Sequence, residues 1–168
     1  MACVLVSGIV GVCDYSTSGV EKLWLANKAT FTGDTYNISG ELTGATTGIL
    51  YSIEPALDTC TFSDDLVVNG SRRNFLQTIN FGLGSIDATI LATLEDLGLS
   101  NLVAFIKGSD GKVRVFGAKG SGLRTTVMTD ASGTAAGNDG SVAVTIAGSS
   151  LGKASFVSST YAASLGLV

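Results

Sequence analysis

Along most of this chain, apolar and polar residues alternate in short runs broken by glycine, threonine and serine. Residues 21–26 (EKLWLA) send Leu23 and Leu25 one way and Trp24 the other, the period of two that marks a strand. Residues 48–53 (GILYSI) alternate before Pro55, the only proline. Segments 59–62 and 66–69 read as strand pieces flanking a turn at Asp64-Asp65. Residues 74–81 (NFLQTINF) place Phe75, Gln77, Ile79 and Phe81 on one face. Residues 142–146 (VAVTI) alternate strictly. Only 86–97 (IDATILATLEDL) carries helical spacing, with Ile86, Ile90, Leu94 and Leu97 in one stripe behind a Ser85 N-cap.

Residues 101–123 form the clearest unit, two strands closing on Gly-Ser-Asp-Gly. The first strand is apolar on both faces, with Leu102, Ala104 and Ile106 opposite Val103 and Phe105. In the second, Val113 and Val115 share a face opposite Lys112, Arg114 and Phe116. An antiparallel sheet with one solvated face shows polar residues there. Both faces of this hairpin are therefore covered, one by the core and one by the helix or a neighbouring chain.

The element order is strands, one helix, strands. Without βαβ alternation, this predicts a mainly β fold, an antiparallel sandwich or barrel flanked by an α-helix. All 168 residues form one domain. Within it, 1–20 reads as an N-terminal arm, 27–48 as a long Gly/Thr-rich loop or hairpin, 117–140 as a connection rich in Gly, Thr and Ser, and 154–168 as a C-terminal arm. A structureless loop as long as 27–48 is uncommon in a compact domain unless functional or ordered by a partner.

Composition sharpens this picture. Charged residues are 14 % of the chain and hydrophobic ones 45 %, against about 25 % charged in an average soluble domain. A spanning helix needs about 20 apolar residues, and the apolar runs here are short or interrupted, so no membrane anchor is expected. A surface this poor in charge points instead to burial against other protein. The net charge of −4 argues against a basic nucleic-acid clamp. The three cysteines, Cys3, Cys13 and Cys60, leave at least one unpaired, which argues for free thiols in a reducing cytoplasm over a secreted disulfide framework. The N-terminal MACVLVSGIVGVC lacks the basic region of a signal peptide.

The search for chemistry is largely negative. With no histidine, most triads, common zinc sites and the usual neutral-pH base are excluded. Gly148-Ser-Ser-Leu-Gly152-Lys153-Ala154 has one residue too few between its glycines for a phosphate loop, and alanine where Ser or Thr would hold magnesium. Asp64-Asp65 reads as a turn and Glu95-Asp96 as a solvated helix face. No enzyme activity, catalytic residue, cofactor or metal is expected. The candidate functional residues are those able to make subunit contacts: Trp24, Phe31, Tyr36, Phe105 and Phe116 by burial, Arg72 and Arg73 by salt bridges.

The series GVEKLWLAN at 19–27, the strand at 74–81, the helix at 86–97 and the 101–123 hairpin resembles structural proteins of tailed phages and prophages of Bacteroidetes-type hosts. That group includes the tail-tube and ring proteins of crAss-like phages. Its pattern Asp-Gly-Lys followed by a glycine and then Gly-Leu is matched by Asp110, Gly111, Lys112, Gly117, Gly122 and Leu123. The resemblance implies a tail-tube-like fold repeated around a six-fold or twelve-fold ring of identical subunits. Neighbouring tail or head–tail connector proteins would be further partners, with DNA passing transiently through the channel. It also implies a virion protein assembled in the host cytoplasm. The competing expectations are a secreted bacterial adhesin or fibre module and a capsid decoration module.

Overall fold

The computed structural model of the 168-residue chain describes residues 3–4, 10–11, 19–53, 55, 59–83, 96–131 and 141–167. Strands β1 (Cys3–Val4) and β2 (Val10–Gly11) pair only with each other among the described residues. The first long strand is β3 (Val20–Asn27). Leu23 and Leu25 are buried on one face and Trp24 on the other, as the alternation predicts.

Residues 27–48 are ordered by the chain itself. After a 3-10 turn at Lys28–Thr30, β4 (Thr32–Tyr36) and β5 (Leu42–Thr46) form a hairpin. Its turn is closed by Asn37, whose Oδ1 accepts from the Ser39 and Glu41 N–H groups at 2.9 Å each, with Gly40 at φ 79°. Next come β6 (Tyr51–Ile53), β7 (Thr61–Asn69), β8 (Arg72–Leu83), β9 (Leu102–Gly108), β10 (Val113–Phe116), β11 (Arg124–Ala131), β12 (Ser141–Ser150) and β13 (Ser155–Phe156). A short helix, Ser159–Ser164, follows.

Two antiparallel sheets make the sandwich. One has the order β13-β10-β9-β3-β6 and the other β11-β12-β8-β7. Between them lies a core of Leu23, Leu25, Leu102, Ala104 and Ile106 from the first sheet, and Ile79, Phe81, Val142, Val144 and Ile146 from the second. A second core lies on the opposite face of the five-stranded sheet, where Trp24, Val103, Phe105, Val113 and Val115 meet Phe31, Leu42, Val157, Ala162 and Leu167. This answers the question posed by the doubly apolar hairpin. Its second face is covered by the β4–β5 hairpin and the C-terminal helix of the same chain.

That cover is fastened by specific bonds. Ser158 N–H donates to the Leu42 carbonyl at 2.9 Å, and the Tyr161 hydroxyl donates to the Ala45 carbonyl at 2.7 Å. The Ser158 hydroxyl caps the helix by accepting from Tyr161 N–H. Residues 154–167 therefore fold back onto their own sheet rather than reaching out as an arm. The physical reason is that Val157, Ala162 and Leu167 supply the apolar area this sheet face would otherwise expose to water.

Other expectations are revised too. Asp64-Asp65 lie in mid-strand in the continuous β7, where Asp64 stands opposite Gln77 and accepts Ala154 N–H at 2.8 Å. Residues 124–131, read as part of a connection, form β11. The flanking helix expected over 86–97 lies outside the described residues except for a helical turn at 96–99. The glycines of the 117–123 loop are there for close approach. A Cβ on Gly148 would run into the Gly122 carbonyl, and one on Gly117 (φ 77°) would meet the Leu102 carbonyl at 2.9 Å. Gln77, 1 % exposed, ties this loop to the sandwich by accepting Gly117 N–H at 2.8 Å.

Truncating Phe105→Ala opens the second core and should cost about 3–5 kcal/mol, whereas Ile38→Ser on the exposed β4–β5 turn should change stability by less than about 0.5 kcal/mol. Urea denaturation of the two variants checks this. Equal losses would mean that the second core is not load-sharing with the first.

Candidate assembly surface

The seven residues expected at subunit contacts separate into two groups. Trp24, Phe31, Phe105 and Phe116 are buried within the chain's own cores, so their surfaces are not available to a neighbour. Phe31 and Phe105 pack tilted with ring centroids 6.2 Å apart, and Phe62 and Phe116 at 5.2 Å. The sequence pattern marked them as apolar residues in need of cover, and the chain supplies that cover. Tyr36 is half-buried beneath the Lys119 ammonium, 4.7 Å from its ring centroid. Burial, and then the adjacent Asp34 carboxylate, push its ionisation above the usual tyrosine range. Of the seven, only Arg72 and Arg73 are exposed, at the tip of the β7–β8 hairpin.

That hairpin is the most unusual surface of the molecule. Its turn is Gly70-Ser71, with Gly70 at φ 62° and Asn69 facing Arg72. Below the tip, Leu66, Val67, Val68 and Leu76 are 55, 44, 58 and 41 % exposed. Burial of Gln77, Ile79 and Phe81 fixes the faces of β8, and alternation then assigns the rest. Leu66 and Val68 lie on the inner face, in register with Phe75 and Arg73, while Val67 and Leu76 lie on the outer face. The hairpin carries exposed apolar side chains on both faces.

At the opposite edge of the same sheet, Val127 and Met128 of β11 are 53 and 39 % exposed. Met128 pairs with the buried Val144 and so shares the inner face, whereas Val127 pairs with Thr145 on the outer face. Among the described residues β7 pairs only with β8 and β11 only with β12, while the Thr125 hydroxyl of β11 donates to the Leu97 carbonyl at 3.0 Å. Such edges are templates for strand addition unless charged side chains, proline, a bulge or a covering segment blocks them. β7 contains neither lysine nor proline, but carries Asp64 on its inner face and Asp65 on its outer face. β11 is irregular between Thr125 and Val127 and regular from there to Ala131.

Between these edges the outer face is almost neutral. One row runs Val127, Thr145, Asn80, Thr61, and the next runs Ala147, Thr78, Ser63. Thr145 donates its hydroxyl proton to Asn80 Oδ1 at 2.7 Å. The second row ends at Arg124, whose Nε donates to Asn101 Oδ1 at 2.6 Å.

The residues that missed notice in the sequence left a signal of their own. Leu66-Val67-Val68 is an unbroken apolar run leading into Asn-Gly, and Val127-Met128 interrupts a threonine-rich stretch. The Asp110-Gly111-Lys112 motif has a local purpose. Asp110 Oδ1 accepts Lys112 N–H at 3.1 Å and Gly111 sits at φ 74°, closing the β9–β10 turn. Among the described residues no three His, Cys, Asp or Glu side chains come together as a metal site. No described helix is long and apolar enough to cross a membrane. The phosphate-loop-like stretch places Gly148 within β12 and its lysine, Lys153, exposed after a bend.

Cys60 packs against the inter-sheet core as a free thiol, and burial pushes its pKa from 9.0 up to about 11. The protonated form is the one the fold favours. This contribution to stability is whole below about pH 9 and is lost as pH rises through about 11. At pH 8 the folded thiol should react with a thiol-specific alkylating reagent roughly a hundredfold more slowly than in urea, following its smaller thiolate fraction. Mass-resolved alkylation at Cys60 measures this, and equal rates would contradict its burial.

No protein-family model, curated protein or solved structure matches the chain.

Proposed function

We propose that this protein is a non-enzymatic virion structural subunit, copies of which close into a ring or tube forming a phage tail channel for genome passage. The observation that carries the reading is the cluster of exposed apolar side chains on the four-stranded sheet of a chain with only 14 % charged residues. Isolated exposed apolar residues need no explanation, whereas contiguous ones mark surfaces that another molecule covers. Here they sit at the two margins of one sheet, so two different patches need cover. A heterologous contact between copies satisfies both at once, and such contacts generate rings when the rotation closes.

The resemblance to phage tail-tube and ring proteins supplies the setting, and two features agree with it. Antiparallel sandwich architecture suits a tube wall. The outer face, mostly hydroxyls and amides with Arg124 and Arg72 at its ends and Asp65 on β7, offers passing DNA few cations, so little counterion release would hold it in place. In this reading the partners are identical subunits and adjoining tail or connector proteins, and the site of action is the virion.

Purified protein at micromolar concentration should sediment as a closed oligomer several times the 17.0 kDa chain mass and show annular particles with a central channel by negative-stain microscopy. The same particles should retain no duplex DNA in a filter assay at roughly physiological ionic strength. A monodisperse monomer at millimolar concentration would defeat the proposal.

A further inference from the structure

We infer that Asn69 is a self-modifying site. In the folded protein its side-chain amide is lost through attack by the Gly70 backbone nitrogen, which leaves aspartate and isoaspartate at the tip of the β7–β8 hairpin. The inference does not depend on the ring reading and holds equally for a monomer.

The step needs a side-chain amide and a following backbone N–H that are free to meet. Gly70 has no Cβ to shield its nitrogen, and no atom lies within 4 Å of where a Cβ would stand. Asn69 and Gly70 are both exposed. Among the described residues, no hydrogen bond holds the Asn69 amide or the Gly70 N–H. Asn69 ends β7 and pairs with Arg72, so only Gly70 and Ser71 separate the two strands. Loop tips of this kind are where local opening costs least.

Other asparagines are held or shielded. Asn37 Oδ1 accepts the Ser39 and Glu41 N–H groups at 2.9 Å each, and its Nδ2 donates to the Glu41 carboxylate at 2.8 Å. Asn80 accepts the Thr145 hydroxyl and Asn101 accepts Arg124 Nε. These three are followed by Ile38, Phe81 and Leu102, whose side chains crowd the nitrogen that would have to attack. Among the described residues, Asn69 is the asparagine that precedes glycine.

The atoms balance with water as the co-reactant. The Gly70 nitrogen gives up its proton and attacks Asn69 Cγ. The new N–Cγ bond closes a five-membered succinimide, the Cγ–Nδ2 bond breaks, and the amide nitrogen leaves as ammonia with the displaced proton. Water then opens the ring. Breaking N–Cγ gives aspartate; breaking the bond from the nitrogen to the Asn69 backbone carbonyl carbon gives isoaspartate, with the chain rerouted through Cβ and Cγ. No group is oxidised or reduced.

The product alters the tip. Residues 66–76 contain Arg72 and Arg73 and no carboxylate. A carboxylate at 69 stands opposite Arg72, an attractive cross-strand pair. Isoaspartate lengthens the backbone within that closing pair, so the two-residue turn loses its register.

The full chain, folded, is incubated at mildly alkaline pH, digested in acid and mapped by mass spectrometry. The peptide holding Asn69 should gain about 1 Da and split into two species, one of them methylated by an isoaspartyl methyltransferase. Peptides holding Asn37, Asn80 and Asn101 should stay unchanged. Asn69→Gln should slow the gain about tenfold or more without moving the urea midpoint, because the longer side chain loses the near-attack placement. The gain should quicken as pH rises, since the deprotonated nitrogen is the nucleophile. A gain in the urea-unfolded chain with none in the folded protein would overturn the inference, because the hairpin would then be holding Asn69 away from Gly70. Equal gain at Asn37 would overturn it too, as would aspartate without isoaspartate, the mark of direct hydrolysis.

Discussion

The structure depends on one constraint: β9 must be kept from water on both faces. Leu102, Ala104 and Ile106 point into the inter-sheet core and Val103 and Phe105 into the other, and all five are buried. A strand of this kind cannot lie at a surface, so the five-stranded sheet has to be sandwiched. The four-stranded sheet closes one side. On the other, the β4–β5 hairpin and the C-terminal segment close it, joined by the parallel bridge Leu42–Val157.

This division of labour leaves the two sheets in unequal circumstances. The five-stranded sheet is covered twice, and its margins are the short strands β6 and β13. Among the described residues the four-stranded sheet is covered on one face only. It carries the long margins β7 and β11 and most of the exposed apolar side chains in strands. Exposed apolar area in strands is therefore concentrated on the four-stranded sheet. Polar groups inside the sandwich reinforce the asymmetry. Gln77 accepts from Gly117 and Asp64 from Ala154, which ties β8 and β7 to the loops that lead across to the other sheet. Removing such a partner leaves a buried donor unsatisfied, at a cost of about 1–3 kcal/mol. The base of the β7–β8 hairpin is thus firmly anchored while its outer half, from Leu66 to Phe75, is not.

The aromatic and cationic residues show how easily apolar content can be misread as interface. Trp24, Phe31, Phe105 and Phe116 carry large areas that the chain itself buries. Arg114 stacks between Phe62 and Phe156, at 5.3 and 4.7 Å from their ring centroids, and caps the edge of the inter-sheet core. Smaller aliphatic residues, Leu66, Val67, Val68 and Val127, are among those left outside. Size and hydrophobicity state how strongly a side chain seeks cover; they do not state who provides it.

By itself the sequence determined the strand periods, the β9–β10 hairpin with its Asp110-Gly111 turn, the face assignments in β3, β8 and β12, and the antiparallel class. These depend on alternation and turn chemistry, which act over a few residues. Tertiary structure decided that the 27–48 region folds as a cover, that 154–167 docks on Trp24 and Phe105, that Asp64 sits inside a strand, and which apolar residues remain exposed. Each of those outcomes is a competition between distant segments for the same apolar area, and no local pattern records which segment wins.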